Sequence, residues 1–160
     1  MKRNLFVFSV SIVFFSLIFI QLNYSENTGQ KTMTKEEQLA HGKYLVEFGG
    51  CNDCHSPKVM TTMGPVLDTT HLLSGHPAEE KLPEIVPSMI QPGNWNLANF
   101  NLTAWVGPLG VTFSANLTPD KPTGTGVWTE EIFIKAMRTG KHMGFERNIL
   151  PPMPWTTLAV

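Results

Sequence analysis

Two cysteines, Cys51 and Cys54, are the only ones in this 160-residue chain, and His55 follows the second at once. That run confines three chemically demanding side chains to one short turn and leaves no thiol elsewhere for a disulfide framework. Cys-x-x-Cys-His is the attachment signal for haem c. The spacing has a mechanical reason: the two thiols add across the two haem vinyl groups, and the turn between them presents the next imidazole to the iron. Cys51 and Cys54 are then thioether links to one covalent haem c, and His55 is its proximal ligand. A neutral imidazole binds through one ring nitrogen, and its other nitrogen is expected to donate to a backbone carbonyl that fixes the tautomer.

Three other readings use the same residues. A disulfide between Cys51 and Cys54 would close a short, strained loop. A thioredoxin-like redox pair needs a strand leading into the motif, whereas here a helical pattern leads in and a proline-bearing loop leads out. Zinc could draw on Cys51, Cys54, His71 and His76, whose spacing loosely imitates a finger and would make the chain a metal-bound structural module.

The N-terminus sets the expected compartment. Lys2 and Arg3 precede a run from Leu5 to Ile20 that is apolar except for Ser9, Ser11 and Ser16, the pattern of an export signal. As a helix the run covers about 24 Å, short of the roughly 30 Å hydrocarbon core unless it extends to Leu22. Residues 1–24 are therefore read as a signal peptide or a membrane anchor, with membrane association through residues 5–22, and the globular part as periplasmic, soluble or tethered. Residues 25–33 are polar and aperiodic, a linker, and residues 34–160 form one domain. Lys plus Arg number 12 against 13 for Asp plus Glu, so the chain lacks the basic field that nucleic-acid binding requires.

Within the domain, Thr34 and Glu37 have the spacing of a capping box, and Leu39, Ala40, Tyr44, Leu45 and Phe48 recur on one helical face. A helix is expected from Thr34 to about Phe48, ended by Gly49-Gly50 directly before Cys51. From Ser56 to Trp128 no period is sustained, and Gly64-Pro65, His76-Pro77, Pro92-Gly93 and Gly107-Pro108 break the chain. Mostly ordered loop, with short strand or helical turns, is expected there. Such a stretch needs a bound group to organise it, and haem is one. A second helix should begin at Thr129 as N-cap, bury Ile132, Phe133, Ala136 and Met137, and stop before Gly140.

The iron's sixth position points to Met153. Leu150-Pro151-Pro152-Met153-Pro154 holds it in a stiff, extended loop with no helical alternative. His142, His76 and His71 remain alternatives, and each methionine also has a core-filling reading. Met/His ligation favours reduced iron and closes the site to oxygen, as an electron carrier needs. Trp95, Trp105, Trp128 and Trp155 suit either core packing or contact with the macrocycle. Lys135, Arg138, Lys141, His142 and Arg147 concentrate positive charge, either as a solvated helix end or as a docking patch.

Together, Gly42 in the first helix, Cys51-Asn52-Asp53-Cys54-His55, the run Ser114 to Asp120, Thr125-Gly126-Val127-Trp128 and Leu150 to Trp155 resemble bacterial class I type c-type cytochromes, in particular the cytochrome subunits of alcohol and aldehyde dehydrogenases. The resemblance spans about Thr34 to Trp155. It implies an all-α cytochrome c fold with long loops around one haem, ligands His55 and Met153, and Asn116 to Asp120 as a pocket wall. It also implies a closing C-terminal helix against Gly42, which the five residues after Trp155 do not accommodate, so the domain is expected to be C-terminally incomplete or to take that helix from another chain. The function expected is electron transfer between a redox donor and acceptor, without enzymatic turnover by the domain itself. The alternative is a haem-based sensor or small-ligand enzyme with an open or displaceable sixth site.

Overall fold

The computed structural model describes residues 32–159. The chain divides into two units, Met1–His41 and Gly42–Val160. The signal or anchor segment and most of the linker lie outside the described residues, among which no helix is long and apolar enough to cross a membrane.

Helix α1 (Lys35–Phe48) starts at the capping box. The Thr34 amide donates to Glu37 Oε2 at 2.8 Å, and the Glu37 amide donates back to Thr34 Oγ1 at 3.2 Å. Each otherwise orphaned amide thereby finds an acceptor. The helix ends where the Gly49 amide reaches Leu45 O and the Gly50 amide reaches Glu47 O. Its apolar face is exposed: Tyr44 and Phe48 stack with ring centroids 5.7 Å apart, and Phe48 is 78% exposed.

After Gly50 comes a single helical turn, α2 (Cys51–His55), and then a hairpin of β1 (Lys58–Thr61) and β2 (Gly64–Leu67). The hairpin is antiparallel, with Lys58 opposite Leu67 and Thr61 opposite Gly64. Thr61 closes it by accepting from the Met63 amide and donating to Gly64 O. A second antiparallel sheet has the order β3 (Leu97–Ala98), β4 (Ala104–Gly107), β5 (Gly110–Phe113). Pro108-Leu109 turns β4 into β5 and pairs Gly107 with Gly110.

These sheets correct the all-α expectation. Helix accounts for 30% and strand for 16%, so the described chain is mixed α/β. The physical reason is length. Val59, Thr61, Val106, Val111, Thr112 and Phe113 are strand-forming side chains, but they occur in runs of four or fewer paired residues between tight turns. No period develops in so short a run, and the hydrogen bonds come from a partner across the turn.

Helix α3 (Glu130–Thr139) follows the expected grammar. Thr129 Oγ1 accepts the Ile132 amide at 3.3 Å, Glu130 and Glu131 occupy the first turn, and the Gly140 amide closes on Ala136 O. Ala136 is fully buried and Ile132 and Met137 half-buried, while Phe133, expected on the buried stripe, is 49% exposed. Beyond Gly140 the chain folds back, with the Ile149 amide on Gly140 O and the His142 amide on Arg147 O, before Pro151 and the short helix α4 (Trp155–Leu158).

Candidate functional site

Cys51 and Cys54 lie three residues apart in α2, which places both thiols on one side of a single turn. They are half-buried and not joined to each other. Burial, reinforced by the Asp53 charge, pushes both thiols above their ordinary range; the backbone at Cys51 and the Lys58 ammonium near Cys54 oppose the rise. Both are therefore S–H groups at neutral pH. Thiol–disulfide exchange runs through a thiolate favoured by a lowered pKa, so the shift counts against the redox-pair reading. So does the order of elements, since helix α1 rather than a strand precedes the motif.

His55 is fixed from the far side of the fold. Its Nδ1 lies 2.8 Å from the carbonyl oxygen of Ala115, sixty residues along the chain. A carbonyl only accepts, so Nδ1 carries the proton and Nε2 keeps its lone pair. Burial holds the imidazole below its ordinary pKa, and the Ala115 bond opposes this in part. A neutral ring with a defined tautomer and a free Nε2 is what a metal ligand requires.

The surroundings hold this turn on several sides. Ser114 Oγ donates to Cys54 O. The Gly75 amide donates to His55 O at 2.8 Å, and Gly75 is buried where its Cα faces the backbone of Ser114 and Ala115. Ser56, fully buried, donates to Asn52 Oδ1 and accepts the Leu73 amide, both at 2.7 Å. These contacts join α2, residues 73–76 and the segment that follows β5. Sequence reasoning missed Gly75, Ser56 and the roles of Ser114 and Ala115. The last two stand in the run that carries the resemblance, but a pocket wall was assigned to Asn116 to Asp120 instead. That segment is bonded mostly to its own loop: Asn116 Oδ1 accepts from Thr118, Asp120 Oδ2 accepts from Thr123, and the Thr125 amide reaches Thr118 O.

Met153 is half-buried in the proline loop. Thr112 Oγ1 donates to Pro151 O at 3.4 Å, so the same stretch of chain that touches Cys54 and His55 through Ser114 and Ala115 touches the Met153 loop two residues earlier. The three alternative histidines have other partners at Nδ1. His71 lies 2.7 Å from Asp68 Oδ2 and His142 2.6 Å from Glu146 Oε2, with its ring edge-on to Trp128. His76 meets Thr103 Oγ1 at 2.9 Å and packs against Phe113. Among the described residues no group of three or more His, Cys, Asp or Glu side chains is placed to hold a metal ion, so the four-ligand zinc arrangement is not formed. A porphyrin supplies four nitrogens itself and asks the protein for only one or two axial donors. The donor set of two protonated thiols on one turn, followed by a neutral imidazole with a free Nε2, fits a haem c attachment site.

The chain is 29% identical over 122 residues to the gluconate 2-dehydrogenase cytochrome c subunit of Pantoea cypripedii, a match covering 76% of this chain and 19% of that protein. It is 38% identical over 60 residues to one of the subunits of the nicotinate dehydrogenase of Pseudomonas putida, covering 38% of this chain and 5% of that protein. The chain thus spans less than a fifth of the length of these curated relatives. No family model matches it, and no solved structure does. It is similar, distantly, to a cytochrome c subunit of a dehydrogenase.

Proposed function

We propose that this chain is an exported electron-transfer domain that carries one haem c, attached through Cys51 and Cys54, with His55 and Met153 as axial ligands, and that it serves a dehydrogenase. The observation that carries the reading is the His55 Nδ1 to Ala115 carbonyl bond of 2.8 Å beside two half-buried free thiols on one helical turn. Likeness to a dehydrogenase cytochrome c subunit supports the choice of donor. When bound, the haem supplies a one-electron couple. The chain's own residues do the rest. Cys51 and Cys54 hold the group covalently, Ala115 keeps His55 in the ligand tautomer, and the segment from Thr112 to Ala115 ties the proximal turn to the Met153 loop. The N-terminal 24 residues direct the domain out of the cytoplasm, as a signal or an anchor.

The test is export of the full chain from a host with haem c maturation machinery. Haem that stays with the polypeptide on a denaturing gel, and is lost in Cys51→Ala with Cys54→Ala, is the expected result. Reduced protein should resist carbon monoxide, and Met153→Ala should bind it readily. A colourless exported product with free thiols would refute the reading. Prompt stoichiometric carbon monoxide binding by the unmodified protein would replace the carrier with a ligand-binding haem protein.

A further inference from the structure

Lys58, the first residue of β1, is half-buried, and its ammonium is fully engaged. Nζ donates to Asp53 O at 2.7 Å, Ser56 O at 3.2 Å and Asn101 O at 2.6 Å. Three acceptors match the three protons of an ammonium, so the geometry itself identifies the charged form. Asp53 O and Ser56 O lie at the carbonyl end of α2, where a cation offsets the partial negative charge of unpaired carbonyls. The third acceptor belongs to a distant loop that is bonded to Lys58 a second time, through the Lys58 amide and Asn101 Oδ1 at 2.9 Å. Asn101 Nδ2 in turn donates to Glu80 Oε2 at 2.6 Å, and Asn99 Nδ2 to Glu80 Oε1 at 2.8 Å. Glu80 thus faces the two asparagines rather than the ammonium.

We propose that Lys58 is a positioning residue of the attachment site, which clamps the carbonyl end of the Cys51–His55 turn to the Asn101 loop and fixes a positive charge there that favours the reduced haem. This rests on the proposed haem attachment. Burial lowers the lysine's pKa, while the nearby Asp53 charge opposes the fall; a lysine held only for solubility would be solvated instead. A methionine of similar length would fill the same space and leave three carbonyls without their donor.

Two arms test the proposal, using full-length Lys58→Met, Lys58→Gln and Lys58→Arg. In the haem-loaded protein, Lys58→Met and Lys58→Gln should shift the electron-exchange equilibrium toward oxidised iron about threefold or more, or about 28 mV at 59 mV per tenfold. Lys58→Arg keeps the charge but replaces the tripod with a planar fork, so its potential should stay near that of the parent. In the haem-free protein, amide exchange of residues 53–56 should speed up about tenfold in Lys58→Met and Lys58→Gln, whatever the state of the haem. An unchanged potential in both neutral variants, or an equal fall in Lys58→Arg, overturns the charge assignment. Unchanged exchange overturns the clamp. Failure of the parent protein to take up haem would sink the proposed function instead, and the exchange arm would still decide the clamp.

Discussion

Replacing Gly75 with alanine is the sharpest probe of how the imidazole is held. Gly75 has φ +76, and a Cβ there would lie 2.7 Å from Ser114 O and from the Ala115 carbonyl carbon, and 2.8 Å from Ala115 O. All three are backbone atoms, which cannot rotate aside as a side chain would. Either the 114–115 segment recedes and His55 Nδ1 loses its acceptor, or Gly75 recedes and His55 O loses the Gly75 amide. Left-handed backbone costs a non-glycine residue about 1–2 kcal/mol, and overpacking typically adds about 1–3 kcal/mol. A loss of about 2–5 kcal/mol follows. With a urea dependence of about 2 kcal/mol per molar, the unfolding midpoint should fall by about 1–2.5 M. Gly93→Ala is the control: Gly93 has φ +90 but nothing within 4 Å of its would-be Cβ, so only the backbone cost applies. A Gly75→Ala protein no less stable than Gly93→Ala, with the Nδ1 proton of His55 unchanged in NMR spectra, would refute the close approach.

Lowering the pH should weaken the haem-free fold through His55. Its native pKa lies below the 6.5 of a free imidazole, so the unfolded chain takes up the proton first. Stability should be complete above about 6.5 and fall as the pH drops toward the native value, a slope that His55→Gln should flatten in urea titrations at pH 7.5 and 5. Asp68, which accepts from Thr70 and His71, should titrate at about 2, and Thr70→Val should raise that value in a carboxyl NMR titration. Asn99 is 7% exposed and its Oδ1 accepts the amides of Thr103 and Ala104, each at 2.9 Å. Asn99→Ala orphans both amides and should cost about 2–6 kcal/mol at roughly 1–3 kcal/mol each, measured by urea unfolding. Asn99→Asp keeps the acceptor but sets a carboxylate against Glu80, so it should be destabilising at neutral pH.

What could be read from the sequence was local. The Thr34–Glu37 box, the Thr129 cap and the glycine stops at Gly49 and Gly140 depend on residues a few positions apart, and all appear as expected. The same holds for Cys51, Cys54 and His55 sharing one turn. The hairpins escaped because their evidence is a partner strand, not a period: Val59 is recognisable as strand only beside Val66. Ala115 escaped for a different reason. Its contribution is a carbonyl oxygen, which every residue possesses, so its identity announces nothing about the imidazole sixty positions away. Lys58 resembled any surface lysine until three carbonyls were seen to surround it.

Thr112 lies in β5 and Ser114 one residue past its end, where the Ser114 amide still reaches Thr103 O across from β5, and residues two apart on extended chain share a face. Thr112 addresses the Pro151 loop and Ser114 the Cys54 carbonyl. Adding or deleting one residue here would turn one hydroxyl away while keeping the other, severing one half of the connection. Length variation among relatives should therefore be scarce between residues 112 and 115 and concentrate in the long excursion from residue 81 to 96.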